Sequence, residues 1–271
     1  MLPNVIFVGP TKCGTTWIDT YLRSRDEVVL PVDCKETFFF DKNFDKGVEW
    51  YKSHFTEKNG VCIEVAPSLF HKTWALENLK MTCPDAKIVI VFRDPYDRAI
   101  SHYFHYRKQG VPSMPIGQMA QQHPDIVEAG LFNKYSQMWE EAFPGNVYFM
   151  PYALLKSNPD EFCKKLCQII GIEPDFSLPS DLSNRSVNSA SLPRSALLAL
   201  MTRRGAEMAR RMGAHKLVNL MRNTPLKKMA FSGGGDVDSE RNAVKLDIVN
   251  LEPYLGRDLA EFQSIFAAKL T

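Results

Sequence analysis

The sequence of 271 residues has no long apolar run and almost no net charge. No stretch approaches the roughly 20 consecutive apolar residues that span a bilayer, so we expect no transmembrane segment. With 33 Lys and Arg against 31 Asp and Glu the formal charge is +2, whereas a dedicated duplex-DNA binder carries a strongly basic domain. The composition predicts an ordinary soluble globular protein without a nucleic-acid partner.

Cysteines are few and scattered. The six cysteines have neither the density nor the spacing of a disulfide framework. Cys163 and Cys167 lie one helical turn apart, but no second Cys or His pair follows to complete a zinc site. The chain enters an apolar run at Val5 without the basic and long apolar regions of a secretory signal. We therefore expect reduced thiols, no metal and a cytoplasmic location.

Short β-rich apolar runs alternate with helical patterns, which is typical of a parallel sheet whose strands are joined by helices. The predicted strands are residues 5–8, 61–65, 87–92 and 146–150. The predicted helices between them are residues 15–23, 94–108, 132–143 and 159–170. We predict an α/β fold, a P-loop-like parallel sheet flanked by helices, with strand 87–92, continuously apolar from Ile88 to Phe92, as a central strand.

The remaining segments have weaker patterns. Residues 109–130 contain Gly, Pro, Gln and Met without a clear period, which is typical of a loop or lid. Residues 193–228 are helical in pattern and hold nine Lys or Arg against one acid, and a final helix is predicted at 244–268. We expect one domain over 1–271, with a nucleotide-binding α/β core over 1–192 and a basic helical C-terminal extension over 193–271.

Residues 9–17 lie between a predicted strand and a predicted helix and form a candidate anion-binding loop. Glycines at both ends let successive N–H groups and the helix N-terminus converge on phosphate oxygens, and Thr15 and Thr16 add hydroxyl donors. A nucleotide P-loop places lysine directly after its last glycine. Here Thr15 follows Gly14, and the lysine lies inside the loop as Lys12. ATP chemistry is thereby disfavoured, and a plain strand-to-helix turn is the structural alternative.

Two segments resemble motifs of the sulfotransferases that use PAPS, 3′-phosphoadenosine 5′-phosphosulfate. Lys12-Cys13-Gly14-Thr15-Thr16-Trp17 is similar to their 5′-phosphosulfate loop. The run from Arg93 to Ser101, Arg-Asp-Pro-Tyr-Asp-Arg-Ala-Ile-Ser, is similar to their 3′-phosphate motif. An arginine at a strand end can fork onto a phosphate, and a serine two helical turns later can reach the same region. Taken alone, Arg93 and Asp94 could equally be a helix-capping pair.

A third segment resembles the heparan-sulfate branch of this family. Residues 35–41, Lys-Glu-Thr-Phe-Phe-Phe-Asp, match its Lys-Glu-x-x-Phe-Phe-Asp segment, in which the glutamate is the proposed catalytic base. The resemblance implies that Glu36 is the catalytic base, that Lys12 is catalytic by stabilising the departing 5′-phosphate, and that Lys35 and Phe39 contact the acceptor. Without the resemblance, Glu36 would be a solvated residue before an aromatic strand.

Two further segments match those of the family less closely. Residues 64–70 are similar to that branch's Glu-Lys-x-x-Ser-Tyr-Phe, with Val65 in place of the lysine. Ser68 is a predicted acceptor contact or a helix cap, and His105 is a further predicted acceptor contact. Residues 188–195 resemble a segment of bacterial sulfotransferases, in which Arg194 is the candidate for a missing nucleotide-binding tripeptide.

Other chemistries have less support in the sequence. His102 and His105 are three residues apart, but the glutamate of a metalloprotease helix is absent. Ser101 lacks the Gly-x-Ser-x-Gly turn of a hydrolase. His54 and His71 are alternative bases outside any motif.

The resemblance implies transfer of a sulfuryl group from PAPS to a hydroxyl or amine, with release of PAP, the 3′,5′-bisphosphate, and without metal. The expected acceptor is a small-molecule, glycan or lipid-linked hydroxyl. A small-molecule kinase using ATP and Mg²⁺ is the alternative, and a non-catalytic bisphosphate-binding or membrane-adaptor protein is a third class. The basic segment 194–228 is predicted to be a solvated face, with peripheral membrane contact as its alternative.

Overall fold

A computed structural model describes residues 1–177, residue 182 and residues 237–270. Its centre is a five-stranded parallel sheet with the strand order β2-β3-β1-β4-β5. The strands are β1 (Val5–Gly9), β2 (Val28–Val29), β3 (Val61–Val65), β4 (Lys87–Phe92) and β5 (Val147–Pro151). The four predicted strands are confirmed, and the added β2 is too short to leave a pattern in the sequence.

The three strands in the middle of the sheet determine at which edge the loops that follow them lie. All five residues of β1 are buried, and β4 lies beside it as an interior strand between β1 and β5. The register pairs Val5 with both Ile63 and Lys87, so β3, β1 and β4 run side by side in the same direction. Their carboxyl ends meet at one edge of the sheet, where α/β proteins bind ligands.

Helices cover the sheet and lengthen the domain beyond it. In the described residues they are α1 (Thr15–Arg23), α2 (Phe39–Lys42), α3 (Gly47–Lys52), α4 (Thr73–Thr82), α5 (Pro95–Lys108), α6 (Ile116–Gln122), α7 (Asp125–Glu128), α8 (Phe132–Ala142), α9 (Tyr152–Ser157), α10 (Pro159–Ile170), α11 (Val237–Asp247) and α12 (Glu252–Leu270). Short 3₁₀ turns lie at Phe44–Lys46 and Ile248–Leu251. The predicted α1, α5, α8 and α10 are confirmed.

The predicted starts of α5 and α10 have capping side chains in the structure. The Asp94 side chain accepts a hydrogen bond from the Asp97 amide where α5 begins with a proline, and the Asn158 side chain caps α10 in the same way. Gly171 ends α10 in the left-handed conformation. These are the positions that proline, short polar residues and glycine prefer at helix ends.

The prediction of a loop or lid over residues 109–130 is wrong. The segment contains α6 and α7, whose residues Ile116, Met119 and Ile126 are buried in a second core with Leu251 and Leu255. Helices of seven and four residues are too short to show a helical period, and their apolar partners lie more than 100 residues later. The segment is therefore packed structure.

The C-terminal prediction is partly revised. The single helix expected at 244–268 is two helices, α11 and α12, separated by the 3₁₀ turn. The basic helices predicted over 193–228, and Arg194 with them, lie outside the described residues. The division of the chain into a core and an extension stays a prediction. In the part of the chain that the structure describes, no helix combines the length and apolarity needed to cross a membrane.

Candidate active site

The loop after β1 is tightly folded around two glycines. Gly9 has φ +108°, and a Cβ there would lie 2.7 Å from the Pro67 carbonyl oxygen. Gly14 has φ +80°, and a Cβ there would lie 2.9 Å from the Tyr152 ring. Lys12 also has a positive φ of 74°, which is uncommon for a residue with a side chain and concentrates at functional sites.

Helix α1 begins directly after this loop. The amides of Trp17 and Ile18 donate to the Gly14 carbonyl at 2.9 and 3.1 Å, and no side chain caps the N-terminus of the helix. The first amides of a helix have no partner within it and carry its positive dipole end. The loop therefore presents backbone donors suited to a phosphate.

Several positive side chains act on the charge of Lys12. The pKa of this half-buried lysine is lowered to about 8, first by burial and then by neighbouring cations. Those cations are Lys108, Arg93, Lys35 and Arg98. Like charges gathered on a partly buried loop disfavour one another, and an anion bound among them relieves that repulsion. The loop therefore has the charge that suits a ligand of high negative charge.

Arg93 connects the end of β4 to the anion loop. Its Nη1 donates to the Lys12 carbonyl at 2.8 Å, and its guanidinium lies 4.9 Å from the centre of the Tyr152 ring. Its Nε is buried without a hydrogen-bond partner in the described part of the chain. Such an unpaired buried donor is costly, and a phosphate oxygen would satisfy it. The predicted partner Ser101 lies half-buried on α5.

The side chains of Cys13 and Trp17 belong to the core. Cys13 is fully buried, and burial raises the pKa of its thiol to about 12. Trp17 is buried and stacks on Tyr21 at 5.5 Å. Both were predicted to bind the nucleotide, and their side chains are packed in the core. The Trp17 amide donates to the Gly14 carbonyl at 2.9 Å, so it is already used within the first turn of α1.

Lys35 lies beside the first turn of α1. Its Nζ donates to Thr16 Oγ1 at 3.2 Å and to Thr15 Oγ1 at 3.4 Å. The sequence predicted an acceptor contact, whereas this position is next to the anion loop. Thr15 is buried and Thr16 is exposed. Lys35 therefore contacts one buried and one exposed hydroxyl at the start of α1.

Glu36 is held next to the end of β3. Its Oε1 accepts a hydrogen bond from the Ser68 amide at 3.1 Å. The pKa of Glu36 is raised to about 7, mainly by burial and further by the charges of Glu64 and Asp41, against the lowering effect of the Ser68 hydrogen bonds. A carboxylate with a pKa near the working pH suits proton transfer. The solvated glutamate considered from the sequence is not observed, because Glu36 is half-buried.

Asp41, which is paired with Lys72, holds the side chain of Ser68. The Ser68 hydroxyl donates to Asp41 Oδ2 at 3.1 Å, and Lys72 Nζ donates to the same oxygen at 2.5 Å. The Asp41 side chain is completely buried. Ser68 therefore positions Glu36 through its amide, and it is not the cap of α4, whose N-cap is Lys72. Sequence reasoning gave Asp41 and Lys72 no role, although Asp41 ends the quoted motif.

Phe39 and the histidines have structural surroundings. Phe39 is 1% exposed and stacks on Tyr51 at 4.4 Å, which speaks against the predicted acceptor contact and assigns it to the core. His105 is exposed on α5, with Nε2 2.6 Å from Gln109 Nε2. Burial lowers the pKa of His71 to about 4 and that of His102 well below its ordinary value. Among the described residues no three His, Cys, Asp or Glu side chains form a metal cluster.

Sequence reasoning also missed Arg98. This arginine is fully buried on α5, pairs with His102 Nδ1 at 3.1 Å and donates to the Ile126 carbonyl. It therefore joins α5 to α7, and its charge is among those acting on Lys12. An arginine four residues before a histidine carries no distinctive signal, because the carbonyl partner lies 28 residues later.

The comparisons with known proteins identify the family of the chain. A sulfotransferase domain family matches residues 2–195, and the chain belongs to it. Mouse heparan sulfate glucosamine 3-O-sulfotransferase 3B1 is 27% identical over 184 residues, 64% of this chain and 47% of that protein. The membrane-associated sulfotransferase kil1 of Dictyostelium discoideum is 32% identical over 107 residues, 38% of this chain and 22% of that protein.

The fold agrees with a solved sulfotransferase. A sulfotransferase from Alicyclobacillus acidocaldarius superposes with a TM-score of 0.57 at 21% identity, covering 67% of this chain and 88% of that one. The predicted family and the predicted parallel sheet flanked by helices are confirmed. This chain spans less than half the length of the two curated relatives named here.

Proposed function

We propose that the protein transfers the sulfuryl group of PAPS to a hydroxyl or amine and releases PAP. The observation that carries this proposal is the arrangement at one sheet edge of a cation-rich anion loop, the strand-terminal Arg93 and the raised-pKa carboxylate Glu36. A bisphosphate nucleotide matches the charge of the loop, and proton removal from an acceptor matches Glu36.

Each residue has a defined task in this reaction. PAPS supplies an electron-poor sulfuryl group on a phosphate leaving group, so the S–O bond to that phosphate breaks as the acceptor oxygen or nitrogen bonds to sulfur. Lys12 and the first amides of α1 stabilise the charge that grows on the leaving oxygen. Arg93 and Ser101 hold the 3′-phosphate, which positions the donor, and Glu36 takes the acceptor's proton.

Phosphoryl transfer from ATP is not favoured. The family match is to sulfotransferases, and Thr15 occupies the position after Gly14 where a nucleotide P-loop has its lysine. Lys12 donates from inside the loop instead. The absence of a metal requirement stays a prediction, as does the cytoplasmic location.

A hydroxyl of a glycan or a small molecule is the acceptor class we propose. The curated relative from mouse is named for a glucosamine of heparan sulfate. In this chain Val65 is fully buried where that branch has lysine, so any glycan acceptor would be bound by other side chains. Lipid-linked acceptors and membrane contact through 194–228 stay predictions.

Transfer of label from PAPS tests the proposed activity. Incubating the protein with ³⁵S-labelled PAPS and fractions of a cell extract is expected to label an acceptor and release stoichiometric PAP, and a Lys12→Ala variant is expected to release none above the blank. If PAP binds but no fraction yields labelled product, the chain is a non-catalytic nucleotide-binding protein. If labelled γ-phosphate from ATP is transferred instead, the kinase alternative is correct.

PAP affinity is expected to fall above pH 8. The pKa of Lys12 is lowered to about 8 in the free protein, so below pH 8 its ammonium is charged and binds phosphate fully. Above pH 8 the free protein loses that proton and must regain it to bind, which weakens binding up to about tenfold per pH unit. Calorimetry from pH 7 to 9.5 measures this slope. Lys12→Arg should remove it, and equal slopes in the two proteins would show that Lys12 does not contact the ligand.

A further inference from the structure

The turn at residues 66–68, directly after β3, contacts both the anion loop and the proposed base. Gly9, the first residue of the anion loop, packs so closely on the turn that a Cβ there would lie 2.7 Å from the Pro67 carbonyl oxygen. In the next residue, the Ser68 amide donates to Glu36 Oε1 at 3.1 Å. The turn therefore sets the spacing between the loop that would hold the donor and the carboxylate that would take the proton.

A buried ion pair holds the side chain of this turn. The Ser68 hydroxyl donates to Asp41 Oδ2 at 3.1 Å, and Lys72 Nζ donates to the same oxygen at 2.5 Å. The Asp41 side chain is completely buried, and the side chain of Lys72 is 17% exposed. Because both donors meet on one carboxylate oxygen, Lys72 fixes the position of Asp41, and Asp41 fixes the orientation of Ser68.

Fold stability does not explain this ion pair well. Asp41 Oδ1 is buried without a hydrogen-bond partner in the described part of the chain, and a buried acceptor without a donor costs stability. Apolar residues in place of a buried ion pair often leave a protein equally stable or more stable. What the pair provides is orientation of the hydroxyl of Ser68, the residue whose amide holds Glu36.

Helices α2 and α4 are also joined by contacts that do not use the Lys72 side chain. Trp74 Nε1 donates to the Asp41 carbonyl at 3.4 Å, and Asn78 Nδ2 donates to the Phe40 carbonyl at 2.9 Å. Both donors lie on α4 and both acceptors lie on α2. The two helices should therefore stay together when the Lys72 side chain is replaced.

We propose that Lys72 is a positioning residue for Glu36, because its pair with Asp41 fixes the turn that spaces this base from the anion loop. The proposal rests on the proposed function, in which Glu36 takes the proton of the acceptor. Reactions of this kind depend on exact placement, and a misplacement of about 1 Å can lower a rate about 100-fold. Lys72 acts without touching the substrate.

Hydrogen exchange of the residue 68 amide tests the proposal without requiring turnover. In Lys72→Met the contact between Asp41 and the Ser68 hydroxyl loosens, so we expect this amide to exchange at least about tenfold faster in nitrogen-15 NMR spectra. PAP affinity should stay unchanged. Ser68→Ala removes the hydroxyl but keeps the amide and the ion pair, and it should speed up exchange of the same amide.

Turnover of labelled PAPS separates positioning from binding. Lys72→Met is expected to lower kcat about tenfold to 100-fold without changing the KM for PAPS. Lys72→Arg can still donate to Asp41 and should recover most of that loss. Added to Ser68→Ala, Lys72→Met should cause little further loss, because its effect passes through the Ser68 hydroxyl. Fully additive losses would contradict that path.

Lys52→Met is the matched control. Lys52 pairs with the exposed Glu49 at 2.8 Å on α3, and such surface pairs contribute little. The same substitution there should change neither the exchange of the residue 68 amide nor kcat. If Lys72→Met does not fold, Ser68→Ala alone gives the test, since it leaves the buried ion pair intact.

The results separate the role of Lys72 from the reaction itself. Unchanged exchange of the residue 68 amide in a folded Lys72→Met protein overturns the proposal, and so does faster exchange with a wild-type kcat. Faster exchange, when the wild-type protein transfers no sulfuryl group, supports the link from Lys72 to the turn and overturns the reaction. Faster exchange together with a lower kcat at unchanged KM supports both.

Discussion

Glu36→Gln is expected to lower sulfuryl transfer about 100-fold to 10,000-fold, the usual contribution of a general base, while PAP affinity stays the same. The amide keeps the shape of the side chain and can still accept from the Ser68 amide, which now lies 3.1 Å from Glu36 Oε1. It cannot accept the proton of the acceptor. Single-turnover rates with labelled PAPS, together with PAP titrations, separate the two effects.

The pH dependence of the wild-type protein follows from the same residue. The pKa of Glu36 is raised to about 7, and only the ionised carboxylate is a base, so the rate should rise with pH through about 7 and then level off. Glu36→Asp should retain part of the activity. If Glu36→Gln keeps wild-type turnover, the base lies elsewhere, and His71, considered from the sequence, is the next residue to replace.

Arg93→Ala is expected to weaken PAP binding about 30-fold to 1,000-fold, or roughly 2–4 kcal/mol, the range for removing one partner of a buried charged hydrogen bond. Two effects add. The fork toward the 3′-phosphate is lost, and so is the 2.8 Å hydrogen bond that holds the Lys12 carbonyl. AMP, which lacks the 3′-phosphate, should lose much less affinity.

Two control variants test whether the loss of PAP affinity is specific to the Arg93 side chain. Arg257 has an 89% exposed side chain and pairs with Glu261 at 2.8 Å, so Arg257→Ala should bind PAP as the wild type does. Arg93→Lys should lie between, since lysine keeps the charge without the fork. A PAP dissociation constant within twofold of wild type in Arg93→Ala would place the 3′-phosphate site away from β4.

Local patterns were sufficient for the parts of the fold that carry the anion loop. β1 and the part of β4 from Ile88 to Phe92 are apolar because both faces of the sheet are covered. The helices that begin at Thr15 and Pro95 follow directly from loop and cap residues. α6 and α7 were missed because their burial depends on Leu251 and Leu255, far away in the chain. Motif resemblance identified Lys12, Glu36 and Arg93 as candidate site residues, but not their partners.

The sequence motif alone did not show which of its side chains lie in the core and which lie at the site, because this depends on tertiary contacts. Phe39 and Glu36 stand in the same seven-residue segment, yet Phe39 packs on Tyr51 while Glu36 is held at Ser68. Glu64 was visible only as the first letter of a second motif. Its hydrogen bonds to Thr37 and Tyr51 join segments that are separate in the sequence, and no local pattern records such contacts.

A calorimetric titration of the wild-type protein with PAP and with AMP at pH 7 tests the central claim most directly. The two ligands differ by the 3′-phosphate that Arg93 and Ser101 are proposed to hold. We predict that PAP binds at least about 30-fold more tightly than AMP, without added metal, since a charged phosphate contact is worth about 2 kcal/mol or more. Equal affinities for PAP and AMP would contradict the account.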